Sequence, residues 1–135
     1  MKNDKKILWI EDSAPLLRSL VRPLEKKGYR ITYALNEKDA IKFLTEEEYQ
    51  LILFDIIIPA GSDKDFTEYV GVRLAEKIIN EMHKETPIIG ISVVNDPKII
   101  DYLYSLGFKK IYQKGYLLPS VLLKFVEKLL ETKRQ

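Results

Sequence analysis

The chain alternates five times between a short, continuous apolar run and a longer segment with helical periodicity. Continuous apolar runs are typical of strands buried on both faces, and the intervening segments are typical of helices that cover a parallel sheet. The pattern therefore predicts an α/β protein built on a five-stranded parallel sheet. The strand candidates are Ile7–Ile10, Arg30–Ala34, Leu51–Phe54, Ile88–Ser92 and Lys109–Gln113.

Residue types that begin and end helices flank the segments of helical period. Side chains that accept hydrogen bonds from the first turn favour a helix start, and glycine favours a stop. Pro23 lies inside the apolar stripe of the first helix and should kink it, because proline lacks an N–H group and crowds the preceding turn. The predicted starts are Ser13, Asn36 and Asp96, the predicted stops are Gly28 and Gly107, and the last helix spans Leu117–Leu130.

Composition limits the class of protein and its partners. The 135 residues, 46% of them hydrophobic, suffice for one compact core, and we expect a single domain over residues 1–135 without an output domain. The absence of cysteine excludes disulfides and thiolate sites. We expect a cytoplasmic protein, because no signal peptide and no membrane-spanning apolar run is visible. A net charge of +2 is too small to favour nucleic acid as a partner.

Charged and hydroxyl side chains that could take part in chemistry occur where the strand candidates end. They are Glu11 and Asp12 after the first strand, Asp55 after the third, Ser92 at the end of the fourth and Lys114 after the fifth. The carboxyl ends of parallel strands form the ligand site of an open sheet, so these side chains should gather there. Clustered carboxylates repel one another and require a cation, and an all-oxygen set suits Mg²⁺. A phosphoryl group on Asp55 would then meet Mg²⁺, the Lys114 ammonium and the Ser92 hydroxyl.

Four sequence blocks resemble those of response-regulator receiver domains, in the same order and nearly the same spacing. They are ILWIEDS, LILFDIIIP, PIIGIS and GFKKIYQK, and together they cover almost the whole chain. One block alone would be weak evidence, whereas five correct residue types at strand ends are specific. The resemblance implies a flavodoxin-like, doubly wound sheet in the order 2-1-3-4-5 with about five helices. It also implies a single-domain phosphorelay switch rather than an enzyme.

The resemblance implies a role for each site position and adds the carbonyl of Ile57. Asp55 would accept a phosphoryl group from a histidine kinase or a histidine phosphotransfer protein, with Lys114 pairing to the phosphoryl oxygens and Ser92 as the switch hydroxyl. The implied magnesium ligands are Glu11 (mainly through water), Asp12, Asp55 and Ile57. Phosphorylation would change the binding of a downstream protein to the surface formed by the fourth helix and the fifth strand. The expected state of the protein is a monomer or a weak homodimer.

Several positions depart from the family pattern and keep alternatives open. Val93 stands where a very small residue is usual, Ile111 where an aromatic switch residue is usual, and Gly115 where proline usually follows the lysine. The loop Ala60–Val70 is also longer than usual. Val93, Ile111 and Gly115 favour the alternative of a pseudo-receiver that binds partners without phosphorylation. A Mg²⁺-dependent phosphohydrolase is a weaker alternative, because neither a Gly-rich phosphate loop nor Asp-x-Asp after the first strand is present.

Overall fold

Five parallel strands form one sheet in the order β2-β1-β3-β4-β5, which confirms the predicted topology. The computed structural model describes residues 5–11, 14–56, 70–82, 85–92 and 96–131. Short runs rich in branched side chains pair readily when helices cover both faces of a sheet, which explains why these segments became strands. The strands are β1 (Lys6–Ile10), β2 (Arg30–Ala34), β3 (Leu51–Ile56), β4 (Ile88–Ser92) and β5 (Lys110–Gln113).

Strand β3 continues two residues beyond its predicted end. Asp55 pairs with Ile91 and Ile56 pairs with Ser92, so the backbone ladder to β4 passes through the carboxylate residue. The prediction ended the strand at Phe54 because a charged residue interrupts the apolar run. Backbone pairing does not depend on side-chain charge, and Asp55 is therefore held inside the strand rather than in the loop after it.

The described ranges contain five α-helices and two helical segments of other types. A 3₁₀ segment precedes the first helix, and a π-helical turn continues the third. The helices are α1 (Arg22–Lys26), α2 (Glu37–Glu46), α3 (Val70–Glu76), α4 (Pro97–Leu106) and α5 (Pro119–Glu131). The 3₁₀ segment is Ala14–Leu20 and the π-helical turn is Lys77–Glu81. None of the helices in these ranges is long and apolar enough to cross a membrane.

The first helical region differs from the prediction of one helix kinked at Pro23. The 3₁₀ segment is interrupted by non-helical backbone at Leu17 (φ −106°, ψ 17°), and α1 is a separate helix with Pro23 in its first turn. A first-turn N–H has no partner within its own helix, so proline is tolerated there without a kink. The predicted cap Ser13 lies outside the described residues. Gly28 follows the helix with a φ of 96°, as the predicted stop requires.

The predicted caps of α2 and α4 are confirmed. The Asn36 side chain accepts a hydrogen bond from the Asp39 N–H at 2.8 Å. The Asp96 side chain accepts one from the Lys98 N–H at 2.9 Å. Gly107 ends α4 in a left-handed conformation with a φ of 117°. These local signals set the helix boundaries because each satisfies backbone groups that the helix ends leave unpaired.

Two hydrophobic clusters cover the two faces of the sheet. Successive residues of β1 point to opposite faces, so Leu8 and Ile10 enter one cluster while Ile7 and Trp9 enter the other. Helices α2, α3 and α4 contribute to the first cluster, and α1 and α5 contribute to the second. Because both faces are occupied by packed side chains, the ends of the strands are where polar groups can form a site.

Candidate functional site

The sheet itself brings four of the predicted site residues to its carboxyl edge. The Glu11 N–H donates to the Ala34 carbonyl at 2.9 Å, which continues the β1–β2 ladder one residue past β1. The Lys114 N–H donates to the Ser92 carbonyl at 2.7 Å, which continues the β4–β5 ladder in the same way. Asp55 lies inside β3, so backbone pairing fixes the Cα position of each of these four residues.

The Lys114 ammonium joins two buried carboxylates. Its Nζ lies 2.8 Å from Glu11 Oε1 and 3.2 Å from Asp55 Oδ2. The carboxylate side chains are only 2% and 1% exposed, and the lysine side chain is 25% exposed. The bond to Glu11 has the length of a strong charge-assisted hydrogen bond, and burial reduces the screening of both contacts by solvent and salt. The structure therefore brings together three side chains that the sequence placed at separate strand ends.

The pKa of Asp55 is raised from its ordinary value of 3.8 to about 7, and burial is the largest cause. Repulsion from Glu11 and hydrogen bonding with it contribute to this rise, and the Lys114 ammonium only partly offsets it. Burial lowers the pKa of Lys114, but its hydrogen bond to Glu11 and the Asp55 charge outweigh that effect and leave the pKa raised. The lysine thus stays protonated while the Asp55 carboxylate is poorly stabilised as an anion.

A divalent cation fits the acidic groups at this edge. Asp55 Oδ1 is buried and has no hydrogen-bond partner among the described residues, so one carboxylate oxygen remains available as a ligand. Glu11 and Asp55 supply hard oxygen donors of the kind that Mg²⁺ prefers. The other predicted ligands, Asp12 and Ile57, lie outside the described residues. Within the described ranges, no cluster of three or more acidic, histidine or cysteine side chains forms.

Ser92 lies on β4, the strand between those that carry Asp55 and Lys114. It is buried and pairs in register with Ile56 on one side and Gln113 on the other. Its location at the carboxyl edge agrees with the sequence prediction, and its role as a switch hydroxyl stays a prediction. Val93 and nearly all of the long loop, residues 60–69, fall outside the described part of the chain.

Tyrosine side chains make two contacts that sequence analysis did not find. The Tyr104 hydroxyl of α4 accepts a hydrogen bond from the Ile111 N–H of β5 at 3.0 Å. The Tyr102 hydroxyl donates to a carboxylate oxygen of Glu76 in α3. Helical periodicity indicates which face of α4 is buried, but it does not indicate which hydroxyl reaches which backbone group. Near these contacts, the Tyr112 ring packs edge-on against Phe125 with ring centroids 6.0 Å apart.

Comparison with known proteins identifies a family for this arrangement. Residues 7–126 match the family described as "Response regulator receiver domain". The chain is 30% identical over 112 residues to the transcriptional regulatory protein CrdR of Helicobacter pylori, an alignment that covers 83% of this chain and 49% of that protein. It is 38% identical over 73 residues to the response regulator receiver protein CpdR of Brucella abortus, covering 54% of each. The chain spans about half the length of these curated relatives.

A solved structure shows the same fold over nearly the whole chain. A two-component response regulator from Clostridium difficile superposes with a TM-score of 0.80 at 28% sequence identity, covering 98% of this chain and 100% of that one. A CheY-like receiver domain protein from Methanospirillum hungatei also has this fold, with a TM-score of 0.78 at 22% identity. The sequence match, the sheet order and these structural neighbours agree. The chain belongs to the response regulator receiver domain family.

Proposed function

We propose that this chain is a phosphoryl-accepting switch of a two-component phosphorelay and that Asp55 is its acceptor. Receiver domains are signalling domains that accept phosphate from histidine kinases and are generally not classed as enzymes. The observation that carries the proposal is the buried Asp55 carboxylate, with one oxygen bonded to Lys114 and the other without a partner among the described residues. A histidine kinase or a histidine phosphotransfer protein is the proposed donor.

The proposed chemistry is an in-line transfer from a phosphohistidine. An Asp55 oxygen attacks phosphorus while the phosphorus–nitrogen bond breaks, and the bonding electron pair stays on the imidazole, which then takes a proton from solvent. Lys114 is already 3.2 Å from the Asp55 carboxylate and stabilises the negative charge of the phosphoryl oxygens. The ammonium thus passes from pairing two carboxylates to pairing a carboxylate and a phosphoryl group.

Magnesium is the cofactor that this proposal includes. Receiver domains generally bind Mg²⁺ at the phosphorylation site. In this chain Glu11 and Asp55 would hold it, together with the predicted ligands Asp12 and the Ile57 carbonyl. When bound, Mg²⁺ neutralises negative charge on the carboxylates and the phosphoryl oxygens. Asp55 Oδ1, which has no hydrogen-bond partner among the described residues, is the feature that supports metal binding.

The proposed output surface is formed by α4 and β5. Ser92 ends β4 immediately before the segment that leads to α4, so a phosphoryl group bonded to its hydroxyl would act on that connection. Tyr104 ties α4 to the Ile111 N–H of β5, which supports motion of the two elements together. An exposed Tyr104 side chain also offers contact area to a downstream protein partner.

Intact-mass measurement tests the acceptor. Incubation with acetyl phosphate and Mg²⁺ should add about 80 Da to the wild-type chain and nothing to Asp55→Asn. Asp101→Asn, at an exposed position on α4, should be labelled like wild type and controls for the loss of a carboxylate. If neither acetyl phosphate nor any phosphorylated histidine donor labels the wild type, the pseudo-receiver alternative replaces this proposal. Turnover of a phosphate ester would instead favour a phosphohydrolase.

A further inference from the structure

A tight turn follows β5 and contains Lys114. The Tyr116 N–H donates to the Gln113 carbonyl at 3.2 Å, which closes a four-residue turn with Lys114 and Gly115 at its centre. Gly115, the third residue, has a φ of 92°. A positive φ at the third position is the pattern of a type II turn, which strongly favours glycine because a side chain strains this conformation.

The backbone of Lys114 is held on both sides. Its N–H continues the sheet through the 2.7 Å bond to the Ser92 carbonyl, and Lys114 is itself the second residue of the turn that the bond from Tyr116 to Gln113 closes. The direction in which the Lys114 side chain leaves the backbone is therefore set by the last pairing of β5 and by the conformation at Gly115.

The lysine side chain must reach across the edge of the sheet. Strand β4 lies between β5 and β3, and β1 lies beyond β3. Neighbouring strands are about 4.8 Å apart, so β5 and β3 are separated by about 10 Å. The Lys114 side chain and the two carboxylate side chains together cover this distance, with Nζ 3.2 Å from Asp55 and 2.8 Å from Glu11. Because Glu11 follows β1, which is separated from β5 by two strands, a change in backbone direction at Lys114 moves the ammonium off the carboxylates.

We infer that Gly115 is a positioning residue: its left-handed turn directs the Lys114 ammonium at the Glu11 and Asp55 carboxylates. The inference rests on the proposed phosphoryl-accepting function and extends it to a residue without a side chain. A Cβ at Gly115 would have no atom within 4 Å, so steric room does not decide the effect of a substitution. The effect of a substitution depends instead on the strain of the positive φ. A side chain at residue 115 would strain the turn, and the turn would relieve that strain by rotating the peptide that joins residue 115 to Lys114.

Gly107 provides a matched control for the same backbone strain. It has a φ of 117°, and a Cβ there would also have no atom within 4 Å. It ends α4 and precedes β5, so it lies toward the amino edge of the sheet, away from Lys114. Gly107→Ala should therefore cost thermal stability much as Gly115→Ala does, without redirecting the lysine.

The first measurement is the rate of labelling by acetyl phosphate in excess Mg²⁺. Gly115→Ala should lower the maximal rate about tenfold with little change in the donor concentration for half-maximal rate, while Gly107→Ala stays within about twofold of wild type. Gly115→Asn should recover most of the rate, since asparagine tolerates the left-handed conformation better than alanine. If Gly115→Ala is labelled as fast as Gly107→Ala, the inference is wrong.

The second measurement needs no phosphoryl donor and separates this inference from the proposed function. Thermal unfolding is compared for Gly115→Ala in the wild-type and Lys114→Met backgrounds. If Gly115 positions the lysine, the loss in Tm is smaller when the ammonium is already absent, and Gly107→Ala shows no such dependence. Equal losses in both backgrounds would overturn the inference. A wild-type chain that resists labelling would refute the proposed function, and this cycle alone would then decide the role of Gly115.

Discussion

Two lysine–glutamate pairs at opposite edges of the sheet have the same length and different properties. Lys6 Nζ lies 2.8 Å from Glu47 Oε1 near the amino edge, and Lys114 Nζ lies 2.8 Å from Glu11 Oε1 at the carboxyl edge. The Lys6 and Glu47 side chains are 34% and 46% exposed, whereas the Glu11 side chain is 2% exposed. Distance alone therefore does not indicate what an ion pair does in this fold.

Burial and a second carboxylate account for the difference. The hydrogen bond from Lys6 and its charge lower the pKa of Glu47, as is usual for an exposed pair. At the carboxyl edge, burial and the charge of Glu11 raise the pKa of Asp55 despite the adjacent Lys114. The Glu47 anion at the amino edge is therefore stabilised by its surroundings. The Asp55 anion at the carboxyl edge is not, so binding a cation or bonding to phosphorus would lower its free energy. Function is therefore expected at the carboxyl edge.

Replacing each lysine by methionine should give the largest contrast. Lys114→Met leaves two buried carboxylates without their shared ammonium and should lower the free energy of unfolding by about 3 kcal/mol above pH 7. Lys6→Met should leave stability close to wild type, because the charges at its pair are solvated. Urea unfolding without divalent cations measures both. Similar losses in the two variants would contradict the assignment of the difference to burial.

The dependence of stability on pH should have opposite signs at the two edges. The folded-state pKa of Asp55 is about 7, above its ordinary 3.8, so its contribution to stability is present below pH 4 and is lost as the pH rises through 7. Asp55→Asn should therefore stabilise the metal-free protein by about 1 to 2 kcal/mol at pH 8 and not at pH 4, because the lost ion pair with Lys114 offsets part of the gain.

Glu47→Gln is the control for this pH dependence. Because the pKa of Glu47 is lowered, its carboxylate contributes stability above its ordinary pKa and loses that contribution in acid. The glutamine variant should thus show no gain at pH 8. Unfolding curves recorded between pH 4 and 8 test both signs, and a destabilised Asp55→Asn at pH 8 would contradict the raised pKa.

Magnesium should stabilise the wild-type protein through the carboxyl edge alone. At ten times its Kd, Mg²⁺ should raise the free energy of unfolding by about 1.4 kcal/mol, with Kd in the millimolar range or somewhat tighter. Glu47→Gln should keep this response and Asp55→Asn should lose most of it. Trp9, two residues before Glu11 on β1, offers a fluorescence readout. Equal stabilisation of the two variants would place the metal elsewhere.

High salt should change the pKa values at the two edges to different extents, and this is the smallest of the expected effects. At 1 M ionic strength the screening length is about 3 Å, so the interaction at the exposed pair weakens while buried groups are affected less. The pKa of Glu47 should rise toward 4.5, its ordinary value, and that of Asp55 should change less. Carboxyl resonances followed by NMR titration at low and high salt measure both values. A larger shift at Asp55 would show that solvent ions reach the site.

Sequence patterns predicted the sheet order and the strand-end positions, because apolar periodicity reports burial and parallel strands end at one edge. They misplaced the end of β3, since a carboxylate within a strand interrupts the apolar run without interrupting backbone pairing. They also merged the 3₁₀ segment with α1, because the apolar stripe continues from Leu20 through Val21 to Leu24 without a break. The pairing of Lys114 with Glu11 depends on the path of a side chain over β4, which residue spacing does not specify.

The bond between Tyr104 and the Ile111 N–H also closes one place where a strand of another molecule could pair with β5. Strand β5 is at the edge of the sheet, where an open backbone donor invites a strand from another molecule to pair. The Tyr104 hydroxyl occupies that donor at 3.0 Å as long as α4 keeps its place. Protection against edge-to-edge aggregation is thereby linked to the position of α4, and displacement of the helix would leave β5 with an exposed donor.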